Sequence, residues 1–189
     1  MTNNSSWNAP STRRALIWMG VFVLMGLTGC GDGQGAKASA PAEPTAEQKV
    51  AQLEASGVLP KLDRLPTLEG VDANGDGVRD DIALHIEKKY ADLAQRKAAM
   101  QMARAYQSMV LVNRNDAVAL DAVSGAGVRA VNCISIIYPS LEEFKVGHQM
   151  SSELEALTTN TKERLRSYLA YNKARSGTVS RMPEGDTCD

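Results

Sequence analysis

The chain has 189 residues, 43% hydrophobic and 23% charged, with a formal net charge of −1 at pH 7. That length suits one domain once processing segments are removed. The near-neutral, slightly acidic balance leaves no electrostatic footprint for nucleic acid, whose binding needs clustered Lys and Arg, and that class is excluded.

Residues 1–29 read as an export signal. Arg13 and Arg14 form a basic region ahead of an apolar run from Ala15 to Leu27. The run is shorter than the roughly 20 apolar residues of a membrane-spanning helix, but it suits the apolar part of a signal peptide. It ends in Leu27-Thr28-Gly29-Cys30, which resembles the bacterial lipobox, Leu-x-Gly/Ala-Cys. The resemblance implies cleavage before Cys30, a lipid on its thiol, and attachment to a membrane through that lipid. An ordinary secretory signal followed by a chance cysteine is the competing reading. Thr12 to Ile17 also loosely resembles a twin-arginine signal, but the following run is very hydrophobic and the downstream lysine is missing. Gly31 stands where enterobacterial inner-membrane lipoproteins carry Asp. By that resemblance the periplasmic face of the outer membrane is the expected location, ahead of the inner membrane.

Loss of Arg13 and Arg14, with no acid removed, takes the net charge from −1 to −3. Residues 31–44 then form a tether with no apolar side chain larger than alanine apart from proline rings. With Cys30 lipidated, Cys133 and Cys188 remain as a pair in an oxidising compartment, and the economical reading is a disulfide tying the tail to the core. A redox-active or metal-binding thiol is the alternative. No Cys-x-x-Cys and no nearby histidine supports it.

Structure is expected from Thr45 onward, giving a domain over residues 45–189. Thr45-Ala-Glu-Gln48 reads as a capping box opening a short helix to about Ser56, with Val50 and Leu53 on its apolar side. Residues 58–79 are broken by Pro60, Pro66 and Gly70, and Leu59, Leu62, Leu65 and Leu68 are expected to pin them to the core. Asp72-Ala-Asn74-Gly-Asp76-Gly77-Val78-Arg-Asp80-Asp81 follows, with oxygen-bearing side chains at alternate positions. In a calcium loop Asp72, Asn74 and Asp76 fill positions 1, 3 and 5, and Gly77 makes the turn at 6. The Val78 carbonyl serves position 7 and Asp80 position 9. Packing three carboxylates so closely is costly unless a cation compensates.

The loop, residues 72–83, departs from an EF-hand in two ways. Its entry, Leu65 to Val71, is a poor helix, and position 12, where the bidentate Glu belongs, is Ala83. It resembles instead the start of dockerin calcium loops, and thrombospondin type 3 repeats use similar aspartate spacing. Asp81, Glu87, a distant carboxylate or waters would have to complete the coordination, and Glu87 lies too far along the helix. The expected site is a weak, structural Ca2+ clamp rather than a sensor. The competing reading is a metal-free turn whose Asp80 and Asp81 favour the helix N-terminus.

From Asp80 the apolar spacing of Ile82, Ile86, Tyr90, Leu93, Met100, Ala103, Tyr106 and Val110 predicts one long helix to about Val112. Another is expected from Asp116 to Tyr138, interrupted at Gly125-Ala-Gly127, with a short strand over its Ile-rich second half as runner-up. After Pro139, the capping box Ser140-Leu-Glu-Glu143 opens a final helix from Leu141 to Ala174, its buried stripe formed by Leu154, Leu157, Leu165, Tyr168 and Leu169. The fold expected is all-α, an antiparallel bundle with a calcium-loop elbow and a disulfide-tied C-terminal tail.

Met100, Met102 and Met109 read as core filler rather than a promiscuous surface. The charged runs at 87–89 and 162–166 read as solvated helix faces. His85 flanks an apolar stripe and His148 lies far away in sequence, so neither zinc chemistry nor a Ser-His-Asp set is indicated. The functional expectation is a non-enzymatic, lipid-anchored periplasmic module that engages a protein partner. An immunity or inhibitor lipoprotein is the alternative of the same kind. An envelope hydrolase with unidentified acidic residues is the alternative of a different class.

Overall fold

The computed structural model describes residues 43–189. The export signal, Cys30 and almost all of the tether lie outside the described residues. Six helices follow in order: α1 Ala46–Ala55, α2 Asp80–Lys89, α3 Leu93–Leu111, α4 Ala117–Ile137, α5 Leu141–Thr158 and α6 Lys162–Ala174. No strand occurs among the described residues, so the fold is all-α as expected, and the Ile-rich stretch of α4 is helical.

Both capping boxes form. The Thr45 amide donates to Gln48 Oε1 at 2.8 Å and the Gln48 amide to Thr45 Oγ1 at 3.3 Å. The Ser140 amide donates to Glu143 Oε2 at 3.1 Å, with the Glu143 amide returning to Ser140 Oγ at 3.2 Å. Each pair satisfies two amides that the first helical turn leaves without partners.

Two expected long helices are each divided. The first breaks at Tyr90, which is extended and buried, and restarts at Asp92, whose carboxylate accepts from the Gln95 amide at 2.9 Å. Arg96 Nε then donates to the Tyr90 carbonyl at 3.1 Å, satisfying an acceptor at the corner. The second breaks over Thr159-Asn-Thr161. The hydroxyls of Thr158 and Thr159 bond back to the carbonyls of Leu154 and Glu155, and Thr161 caps the new helix through the Arg164 amide. Such local bonds compete with helix continuation.

The second break changes the phase of the buried stripe. Leu165 and Leu169, expected inside, are exposed, and α6 instead buries Arg164, Ser167 and Tyr171. Conversely, α4 runs unbroken through Gly125 and Gly127. A Cβ at Gly127 would stand 2.5 Å from Met109 Cε, so the glycine leaves room for the end of that methionine side chain.

α3 is the central helix, packed on α2, α4, α5 and α6. Its inner face carries Ala98, Ala99, Ala103 and Ala105, small enough for neighbours to close in, with Met102 filling the gaps. Ile82, Ile86, Ile134, Met150 and Leu154 complete the core from the other helices. Met100 and Met109 pack against it, as core filler should. α1 contributes nothing fully buried: on its apolar side Val50 is half-buried and Leu53 is exposed. Residues 43–189 close their own core and form one compact unit, which is expected to fold without residues 1–42.

Cys133 and Cys188 are disulfide-bonded across a sequence separation of 55. The tail is held there by more than the covalent bond. Gln101 donates to the Thr187 carbonyl at 2.8 Å, Asn132 to the Gly185 carbonyl at 2.9 Å, and Thr187 Oγ1 to the Arg129 carbonyl at 2.8 Å. The chain-entropy value for this loop is about 4 kcal/mol. Because the tail's polar contacts keep part of its order, Cys188→Ser is expected to cost about 2–4 kcal/mol in denaturant unfolding. Two reactive thiols in the oxidised wild-type unit would contradict the pairing.

Candidate functional site

The aspartate-rich loop folds around its own first residue. Asp72 Oδ1 accepts from the amides of Gly75 at 2.9 Å and Asp76 at 3.2 Å, and Oδ2 accepts from Gly77 at 2.9 Å. Gly75 and Gly77 adopt φ of +69° and +83°, a left-handed backbone that other residues enter only with strain. Asp76 Oδ1 accepts from the Val78 amide at 2.9 Å, Asn74 Oδ1 from the Asp76 amide at 3.1 Å, and Asp80 Oδ1 from the Ala73 amide at 3.1 Å. The Asp80 amide closes the loop on the Val71 carbonyl at 2.9 Å. Asn74, Asp76 and Asp80 thus sit on one short turn with Asp72 at its centre.

As a cation seat the loop is incomplete. Among the described residues no three His, Cys, Asp or Glu side chains gather closely enough to hold a metal ion. Asp81, expected among the ligands, has other partners. Its Oδ1 accepts from Arg79 Nε at 3.0 Å, and its Oδ2 from Arg79 Nη2 at 2.6 Å and the Asp63 amide at 2.7 Å. What remains to fit a cation is the set Asp72, Asn74, Asp76, Asp80 and the Val78 carbonyl, a hard-oxygen set suited to Ca2+.

Behind the loop lies a polar centre that periodicity did not reveal. Arg79 and Arg164 are fully buried, and Asp63 and Asp81 stand beside them. Arg79 Nη1 also donates to the Thr158 carbonyl at 3.2 Å and to Asn160 Oδ1 at 3.1 Å. Arg164 Nη1 donates to the Asp63 carbonyl at 2.7 Å and to Asn160 Oδ1 at 2.9 Å. Burial pushes the Asp63 carboxyl upward, but the amides of Leu65 and Val71, then Arg164 and Arg79, outweigh it and hold its pKa below the usual value.

This centre, more than the leucines, fixes residues 58–79. Leu62 packs on the core, but Leu59 and Leu65 are exposed. Arg79 therefore joins three places: the aspartate-rich loop, the start of α2 and the α5–α6 corner. Val78 beside it is buried in the core, so the loop stands on a rigid base. On the other flank Arg104 Nε donates to the Asp76 carbonyl at 2.8 Å while its Nη1 reaches Asp189 Oδ2 at 3.0 Å. Arg104 thereby links the loop to the disulfide-tied tail.

The histidines are apart. His85 Nε2 lies 2.8 Å from Glu153 Oε1, and Lys89 pairs with the other oxygen of Glu153, joining α2 to α5. Burial raises the Glu153 pKa, but Lys89 and His85 more than reverse that and leave it lowered. His148 is exposed on α5, its ring centroid 6.4 Å from that of Phe144. Among the described residues neither forms a hydrogen-bonded set with a serine and an aspartate.

The chain matches no family model, no curated protein and no solved structure.

Proposed function

We propose that this protein is a lipid-anchored, non-catalytic module of the periplasmic face of the bacterial outer membrane. In this reading one structural Ca2+ stiffens the corner ahead of α2, and a surface of the bundle engages a protein partner. The lipobox at Leu27 to Cys30 supports the anchor, and the disulfide suits an oxidising compartment.

The observation that carries the calcium reading is the wrapping of the Gly75, Asp76 and Gly77 amides around Asp72. It curls the backbone so that Asn74, Asp76, the Val78 carbonyl and Asp80 are spaced along one turn. Together with Asp72 these groups would hold the ion, and Asp81 would not, because Arg79 and the Asp63 amide engage it. With Ala83 at position 12 and Asp81 unavailable, the expected Kd is about 10⁻⁴–10⁻³ M. Free calcium at several times Kd then adds about 1 kcal/mol of stability, a Tm rise of about 3 °C for a domain of this size. Thermal melts of the 43–189 unit in calcium, magnesium and chelator measure this. Asp76→Ala should abolish the calcium-dependent rise. An unchanged Tm in wild type across millimolar calcium would remove the metal from this reading.

A further inference from the structure

We infer that the cleft between α4 and α5, roofed by the C-terminal tail, is a binding site for a small monocyclic aromatic molecule bearing one hydrogen-bonding group. Met102 of α3 supplies a buried floor. Ile134 and Tyr138 of α4 form a buried wall, and Phe144 of α5 with Met182 of the tail stands exposed at the rim. The cavity volume is about 220 Å3. A dry engineered cavity of roughly 150 Å3 takes benzene, so there is room for one ring and a substituent.

Two features shape the site. A Cβ at Gly147 would stand 2.7 Å from Ile134 Cγ2 and 3.1 Å from Tyr138 Cδ2, so the glycine sets how closely α5 approaches the apolar wall. The tail that carries Met182 is pinned by Cys188 and by the Asn132 bond to Gly185, which hold the thioether at the rim. A thioether and an aromatic edge suit a ring, since sulfur–aromatic contacts are favourable.

Besides the Tyr138 phenol, three polar side chains line the cleft, and two are already engaged. Ser135 donates to the Asn132 carbonyl at 2.7 Å, and Ser151 shares a hydrogen bond with Tyr106 at 2.9 Å. His148 has no hydrogen-bond partner among the described residues. Its imidazole offers one donor and one acceptor when neutral, which matches a phenolic hydroxyl. A mostly apolar pocket with few polar groups is the pattern of a small-molecule site in which apolar burial supplies affinity and a placed polar group such as His148 sets orientation.

The test uses p-cresol, toluene and p-toluenesulfonate titrated into the oxidised 43–189 unit, followed by NMR of the methionine methyls and of His148. Saturable p-cresol binding at millimolar concentration or below is expected, with shifts at Met102, Met182 and His148. Toluene should bind several-fold more weakly, and His148→Phe should erase that difference while leaving toluene affinity unchanged. Val131→Trp, at a 45% exposed position on the rim, should weaken all binding about tenfold or more without loss of the fold. Absence of saturable shifts, shifts scattered away from the cleft, or equal affinity in Val131→Trp would overturn the assignment. So would protein dimerisation through this face that p-cresol leaves unaltered.

Discussion

Arg79→Met is expected to lower the unfolding free energy by about 3–5 kcal/mol, a large fraction of the stability of a domain this size. The guanidinium is fully buried and makes two bonds to Asp81, one to the Thr158 carbonyl and one to Asn160. Methionine replaces its volume but not its charge. Asp81 would be left a largely enclosed carboxylate without its cation, and the corner carbonyl would lose a donor. Removing one member of a buried pair is costly because the other stays desolvated. The double variant Arg79→Met with Asp81→Leu should recover part of the loss, since replacing both charges by apolar groups is often near neutral. Recovery stays incomplete because the Asp63 amide also needs the Asp81 oxygen. Denaturant unfolding of the three variants measures this cycle. A single-variant cost below about 1 kcal/mol would mean that the buried centre does not hold the domain together.

Gly70→Ala is expected to cost about 2–5 kcal/mol, through strain of about 1–2 and overpacking of about 1–3. Its φ is +67°, and a Cβ there would stand 2.6 Å from Arg79 Cδ, 2.8 Å from Asp63 Oδ2 and 2.9 Å from Arg164 Nη2. Long side chains usually swing aside cheaply, but Arg79 is tied to Asp81 and Asn160, Arg164 to Asn160 and the Asp63 carbonyl, and Asp63 Oδ2 to the Val71 amide. Gly57→Ala separates the two effects. Its φ of +74° is similar, and no atom lies within 4 Å of the added methyl, so only the strain remains. If both variants lose the same stability, the contacts around Gly70 are not rigid.

Much of the helix map could be read from local chemistry. The capping boxes at Thr45 and Ser140 form, α4 begins one residue after Asp116, and Pro139 follows its end. The two missed corners differ in kind. In Thr158-Thr-Asn-Thr161 the three threonines bond to nearby backbone while Asn160 reaches the Asp63 carbonyl, a polar run masked by the apolar spacing on either side. Asp92 was a weaker signal, because an exposed aspartate inside a helix pattern is ordinary until Tyr90 turns inward and Arg96 reaches its carbonyl.

The aspartates of the loop were visible because their chemistry is periodic along a single turn. Asp63, Arg79, Asn160 and Arg164 were not, because they meet from three distant segments and share no spacing. Asp81 shows the consequence. By position alone it could have turned toward the loop, yet Arg79, two residues before it, takes both its oxygens.

The sequence alone determined the helical class, the oxygen-rich turn and the helix caps, all of which depend on neighbours within about four residues. If Cys30 carries lipid, Cys133 and Cys188 are the one cysteine pair the sequence leaves. Tertiary structure decided which helix faces are buried, which partner Asp81 takes, and that an apolar cleft stands open beside Gly147. Those depend on where segments far apart in sequence come to rest. A buried guanidinium can stand only where the folded chain supplies carboxylates and carbonyls around it.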